Sequence, residues 1–137
     1  MKKTFVNLFM GIFLLTLGSA TLYGQCEGEE KKAKLYAVAF HADYCGACKK
    51  IGPSVMELAE RMKDQSVEFV KFDFTSDESR SKTKEKAKEY GLEEVLASNK
   101  GTGYVVLVEA DTKKEVGKLT TKHSVTDMIS VVTENLQ

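Results

Sequence analysis

The chain has 137 residues, with 20 basic and 20 acidic side chains and a formal net charge of zero. A chain of this length fits a single domain, and the balanced charge gives no indication of a partner bound through bulk charge, such as nucleic acid. Three cysteines are too few for a fold that is held together by a framework of disulfides.

Residues 1–25 have the pattern of a secretory signal peptide. Lys2 and Lys3 precede a mostly apolar run at 5–17, and small residues suited to cleavage follow within 18–24. The apolar run is short for a bilayer span, which takes about 20 residues. We therefore expect export with removal of the first 20 to 25 residues, to the periplasm, and an uncleaved membrane anchor is the alternative.

Cys26 follows this segment directly. A signal for lipidation places a small residue immediately before the modified cysteine, whereas Gln25 stands there in this chain. Two alternatives stay open for Cys26, a lipid anchor and a free thiol near the mature N-terminus. Residues 26–34 are charged and contain glycine, so we interpret them as a flexible lead-in.

Two cysteines stand between a predicted strand and a predicted helix. The apolar run 35–40 is typical of a buried central strand, and an apolar stripe predicts a helix from about residue 45 to 64. Cys45 and Cys48 lie two residues apart at the start of this helix. Unpaired backbone N–H groups at a helix N-terminus favour a thiolate on the first sulfur, and the second is close enough to form a disulfide with it. This order predicts a redox site.

The remaining elements follow in a simple alternation. The patterns predict a strand at 67–74, a polar helix at 78–90 that is ended by glycine, and a loop at 92–102. They then predict a hairpin of two strands at 104–108 and 115–119, and a final helix that begins after a serine cap at Ser124. The predicted order over residues 35–137 is therefore β-α-β-α-β-β-α. We predict an α/β fold with a mixed central sheet of about four strands flanked by helices.

The cysteine segment resembles a known motif. Residues Tyr44 to Lys49 are similar to the Trp-Cys-Gly-Pro-Cys-Lys motif of the thioredoxin family, with tyrosine for tryptophan and Ala47 for proline. The similarity continues into Ile51 to Pro53, and by pattern it extends over roughly residues 35–136. The resemblance implies a thioredoxin-like fold and thiol–disulfide exchange.

The same resemblance implies the site residues. Cys45 and Cys48 are the expected catalytic pair and the expected redox-active disulfide. Supporting roles are expected for the residues around them and in the loop before the third strand: His41, Tyr44, Gly46, Ala47, Lys49, Thr102 and Gly103.

Three departures from the family pattern affect the expected chemistry. The family has a buried aspartate where this chain has Ala39, so the second cysteine lacks that proton acceptor. His41 stands where the family has an aromatic residue and is a candidate acid/base partner. The alternative is a partly exposed histidine that only occupies the space of that aromatic side chain. Pro53 is the only proline, so the cis-proline of the family is absent and Thr102-Gly103 takes its place.

We therefore expect an exported protein-disulfide oxidoreductase, a monomer acting as a reductase without a cofactor. Its partners would be disulfide-containing proteins and a membrane thiol relay that supplies electrons. The alternative is a metal-binding module for copper or zinc that uses Cys45, Cys48 and His41. The sequence contains no second CxxC pair to complete a four-ligand structural zinc site.

Overall fold

A computed structural model describes residues 32–137. The predicted signal peptide and residues 26–31 of the lead-in, including Cys26, lie outside the described residues, so the domain boundaries stay a prediction. Within residues 32–137, none of the helices combines the length and the apolar character that a membrane crossing requires.

Eight elements follow one another along the described chain. They are β1 Leu35–His41, α1 Gly46–Met62, β2 Val67–Asp73, α2 Asp77–Tyr90, α3 Glu93–Ser98, β3 Tyr104–Glu109, β4 Glu115–Leu119 and α4 Val125–Glu134. The predicted serine cap forms at Ser124, Ser76 caps α2, and Gly91 ends α2 in the left-handed conformation.

The prediction of a loop over 92–102 is wrong, because this segment contains α3. Leu92 and Val95 are buried and Leu96 packs beside them against the sheet. This is the i, i+3, i+4 spacing of a helix face, here in a helix of only six residues whose stability comes from packing rather than from a side-chain cap. The element order is therefore β-α-β-α-α-β-β-α.

The four strands form one mixed sheet in the order β2-β1-β3-β4. Strands β1 and β2 are parallel, whereas the β1–β3 and β3–β4 pairs are antiparallel. The predictions of a mixed four-stranded sheet and of a final hairpin are confirmed. Strand β1 is central and carries buried side chains on both faces, which explains its nearly continuous apolar sequence.

The sheet separates two apolar cores. Helices α1 and α4 cover one face, where Ile51 and Met128 contribute, and α2 and α3 cover the other, where Phe40 and Phe72 are fully buried. Because β1 ends where α1 begins, the connection 42–45 brings the cysteine pair to one edge of the sheet. The chain preceding β3 arrives at this same edge, since β1 and β3 are antiparallel.

Candidate active site

The Cys45 sulfur caps the N-terminus of α1. Cys45 has extended backbone angles (φ −85°, ψ 114°), and the backbone N–H of Cys48 donates to its Sγ at 3.1 Å. This is the geometry in which a serine or aspartate side chain usually satisfies a free N–H of the first turn. The sulfur is therefore held where the helix supplies hydrogen bonds to an anion.

The environment of Cys45 favours its thiolate. Partial burial disfavours the charge, but the Cys48 and Thr102 side chains and the backbone N–H groups of Cys48 and Ala47 favour it more strongly. Together they lower the pKa of Cys45 below that of an ordinary thiol. Cys45 is also partly exposed, so an ionised sulfur at this position can be reached from solvent.

Cys48 has the opposite properties. It is 4% exposed, and its Sγ lies 3.7 Å from the carbonyl oxygen of Phe40, the distance of a weak sulfur hydrogen bond. Burial and the hydrogen bond to Cys45 raise its pKa, although contacts with Ala42 and Thr102 act in the other direction. The structure thus contains one partly exposed thiol with a lowered pKa and one buried thiol with a raised pKa.

The loop before β3 lies directly against the cysteine motif. A Cβ built on Gly103 would stand 3.3 Å from the Sγ of Cys45 and 2.5 Å from the Cβ of Ala47. Gly103 has φ +95°, and its N–H donates to the carbonyl oxygen of Phe40 at 2.7 Å. Gly103 therefore allows an approach of the backbone that a residue with a side chain does not.

The other predicted residues of the motif lie at the surface beside Cys45. The Tyr44 side chain is 67% exposed, and its hydroxyl donates to the Phe74 carbonyl oxygen at 3.2 Å. Gly46, Ala47 and Lys49 are exposed. The accessible sulfur is thus flanked along the chain by the small residues Gly46 and Ala47 and by the hydrogen-bonded Tyr44 ring.

His41 lies at the end of β1, and its ring is partly buried. Its Nε2 is 3.0 Å from a carboxylate oxygen of Asp43, which gives the imidazole a partner other than the thiols. His41 and Cys48 line the same cavity. A role for His41 in proton transfer stays a prediction.

An apolar cavity of about 370 Å³ extends from Cys48 between α1 and the sheet. Ala39 lines it where the family pattern has an acid, and Lys71 stands opposite Ala39 in the β1–β2 register. The Lys71 ammonium pairs with Asp73 at 2.8 Å. The small side chain of Ala39 and the lack of a side chain at Gly52 contribute to the open space beside the buried thiol.

Metal ligands do not converge in the part of the chain that the structure describes. No group of three or more His, Cys, Asp or Glu side chains in residues 32–137 is placed to hold a metal ion. Cys45, Cys48 and His41, the residues of the metal-binding alternative, do not form such a group.

Sequence reasoning missed the side chains that hold the loop before β3. Asn99 is buried, and it bonds to Lys118 and Glu115 on β4. Asn99 stood in a predicted loop and gave no local signal of this role, because its partners on β4 lie 16 and 19 residues further along.

Comparison with known proteins agrees with this fold. The thioredoxin family model matches residues 27–95. No curated protein matches the chain. A thiol:disulfide interchange protein of the thioredoxin family from Chlorobium tepidum is 18% identical with a TM-score of 0.55, over 78% of this chain and 83% of that one. The thioredoxin domain of a thiol-disulfide oxidoreductase from Bacteroides vulgatus is 22% identical with a TM-score of 0.53, over 78% and 82%.

Similarity to solved structures at these identities shows the fold alone, which is that of a thioredoxin-like α/β protein. The match of the family model over half of the chain goes further, and the chain belongs to the thioredoxin family.

Proposed function

We propose that this protein is an exported thiol–disulfide oxidoreductase that reduces disulfide bonds in other proteins through Cys45 and Cys48. One observation carries the proposal: the pKa of Cys45 is lowered at a partly exposed helix N-terminus, whereas the pKa of Cys48 is raised at a buried position three residues later. Thiol–disulfide exchange needs this division between an attacking thiolate and a protected second thiol.

The first step is attack by the Cys45 thiolate on one sulfur of a substrate disulfide. A bond forms between Cys45 Sγ and that sulfur, and the substrate S–S bond breaks. The other substrate sulfur leaves as a thiolate and takes a proton from solvent. Tyr44, Gly46 and Ala47 are exposed beside the sulfur, so a substrate chain can approach it from this side.

The second step releases the substrate. Cys48 loses its proton and attacks Cys45 Sγ, which forms the Cys45–Cys48 disulfide and breaks the mixed disulfide. The second substrate sulfur leaves as a thiolate, and the proton from Cys48 reaches it through solvent. Two electrons have then passed from the dithiol to the substrate. Because Ala39 offers no base next to Cys48, this step is expected to limit the rate at low pH.

The reducing direction follows the resemblance of Cys-Gly-Ala-Cys to the reducing members of the family. A reductase must be re-reduced after each turnover, so we propose a dithiol donor that attacks the Cys45–Cys48 disulfide in turn. For a protein exported by the segment 1–25, the donor would be a thiol relay in the membrane, and the substrates would be disulfide-containing proteins of the periplasm.

Insulin reduction tests the activity. In a Cys26→Ser background, the protein with dithiothreitol should accelerate precipitation of the insulin B chain, and Cys45→Ser should abolish the acceleration. Cys48→Ala should instead accumulate mixed disulfides that are visible on a non-reducing gel and that disappear when Cys45 is also replaced. Mixed disulfides that persist without Cys45 would overturn the assignment of the nucleophile.

Metal analysis of the freshly purified protein belongs in the same experiment. Stoichiometric copper or zinc that depends on Cys45 and Cys48, together with no insulin reduction, would contradict the oxidoreductase proposal. That result would favour the metal-binding alternative.

A further inference from the structure

Asn99 is a buried amide whose hydrogen-bonding groups are all engaged. It is 8% exposed at the end of α3. Its Nδ2 donates to the Val95 carbonyl oxygen at 3.0 Å and to the carboxylate of Glu115, and its Oδ1 accepts from Lys118 Nζ at 3.1 Å. A buried amide is costly unless it is hydrogen-bonded. The two β4 side chains therefore fix the point at which the following segment, the 99–103 loop, leaves α3.

Lys118 also reaches the other end of this loop. Its Nζ lies 4.4 Å from the ring centroid of Tyr104, a cation–π contact at the first residue of β3. The Tyr104 hydroxyl in turn donates to the Lys100 carbonyl oxygen at 3.0 Å. One lysine on the edge strand β4 thus contacts the residues that bound the 99–103 loop on both sides.

The 99–103 loop carries the residues that touch the candidate nucleophile. Gly103 is bonded to Phe40 and lies close enough to Cys45 that a Cβ on it would be 3.3 Å from the sulfur. Thr102 precedes it, and its side chain favours the ionised form of both cysteine thiols. A hydrogen bond to an anion is strong and depends on geometry, so a small shift of the loop weakens it.

We propose that Lys118 is a positioning residue for the redox centre: by holding Asn99 and Tyr104, it keeps the 99–103 loop, with Thr102 and Gly103, in place against Cys45. Lys118 acts through the loop and touches neither sulfur in this arrangement. The proposal builds on the assignment of Cys45 as the nucleophile. Its test measures the thiol itself, so a protein that fails to reduce insulin still gives an answer.

The experiment is a double-mutant cycle read by alkylation of Cys45 with iodoacetamide across pH, in a Cys26→Ser background. Lys118→Met removes the donor and the charge but keeps the length of the side chain. We expect the alkylation rate of Cys45 at neutral pH to fall roughly three- to tenfold as its midpoint moves to higher pH. Lys122→Met is the matched control, because it removes an exposed charge near the end of β4 without touching Asn99.

The Thr102→Val background separates positioning from charge. If Lys118 acts by holding Thr102, then Lys118→Met changes nothing further once the hydroxyl is gone. An equal fall in both backgrounds, a fall no larger than that in Lys122→Met, or an unchanged rate in Thr102→Val alone would each overturn the proposal.

Two further variants guard against a general loss of structure. Tyr104→Phe removes only the hydroxyl that binds Lys100, and we expect a smaller fall in the same direction, again absent with Thr102→Val. Lys118→Arg keeps a cationic donor and should restore most of the reactivity. If Tyr104→Phe leaves the alkylation rate unchanged and Lys118→Arg does not restore it, the proposal is also contradicted.

Discussion

Gly103 and Ala47 are in such close contact that a Cβ on Gly103 would lie 2.5 Å from the Cβ of Ala47. Carbon atoms in contact normally lie about 3.5–4.0 Å apart. The loop before β3 is therefore packed onto the cysteine motif with no room for a side chain. Where the family pattern has a cis-proline, this chain achieves the contact by having no Cβ.

Gly103→Ala tests this contact. The variant has two costs, a residue with a side chain at φ +95° and the overlap with Ala47, so we expect the free energy of unfolding to fall by about 2–4 kcal/mol. Gly101→Ala is the matched control, because Gly101 has φ +89° and open space around its Cβ direction. It should cost about 1–2 kcal/mol.

Urea denaturation of both variants measures these differences. Adding Ala47→Gly should recover part of the loss in Gly103→Ala and none in Gly101→Ala. If the two alanine variants are equally stable, the overlap with Ala47 does not contribute to the loss of stability in Gly103→Ala.

Ala39→Asp should change the second step of the proposed reaction. The new carboxylate would face the cavity shared with Cys48 and Lys71, where it can accept the Cys48 proton. We expect release of substrate from the mixed disulfide to accelerate by roughly tenfold near neutral pH. Stopped-flow single-turnover reduction of a peptide disulfide measures this step.

Ala39→Asn is the control for Ala39→Asp, since it has a similar shape and cannot accept the proton. Equal rates in the Asp and Asn variants would mean that solvent already accepts the Cys48 proton fast enough. The absence of an acid at this position would then have no kinetic consequence.

Asp73 should make stability depend on pH. Burial opposes its charge, but Lys71 at 2.8 Å and the Thr75 hydroxyl and N–H at 2.6 and 2.9 Å outweigh it, so its pKa lies well below the usual range. A carboxyl with a lowered pKa stabilises the fold above its unfolded pKa of about 3.9, and the contribution is lost as the pH falls towards its folded pKa.

We therefore expect Asp73→Asn to lose about 1–2 kcal/mol of stability at neutral pH. The difference from the parent protein should shrink below about pH 4, because the parent then loses the same contribution. Denaturation curves at several pH values measure this. Asp111→Asn, which removes an exposed pair with Lys32, should show a much smaller effect. If Asp73→Asn is less stable than the parent protein by the same amount at every pH, the charge of Asp73 is not the cause of the difference.

The signal peptide predicted in residues 1–25 implies a mature protein without its first 20 to 25 residues. Intact-mass measurement of protein isolated from its native host tests this. A mass that includes Met1 would reject cleavage. A mass increased by a lipid on Cys26 would instead establish anchoring, and an unmodified N-terminus near residue 21 to 26 supports release into the periplasm.

Local patterns were sufficient for most of the fold. The apolar run 35–40, the alternation at 67–74 and the serine caps each depend on residues close together in sequence, and the corresponding elements appear within one or two residues of their predicted bounds. Helix α3 was missed because six residues carry less than two turns of periodicity. Its helical state is decided by the burial of Leu92 and Val95 against strands that are distant in sequence.

The same division applies to the candidate site. The sequence alone determined the two cysteines, their spacing and their place at a helix start, because one continuous segment contains all of that information. Only the tertiary structure decided that Gly103 meets Ala47, that Asn99 is held by Lys118, and that Cys48 opens onto a cavity beside Ala39. These relationships join segments that meet only when the sheet forms, so no local pattern carries them.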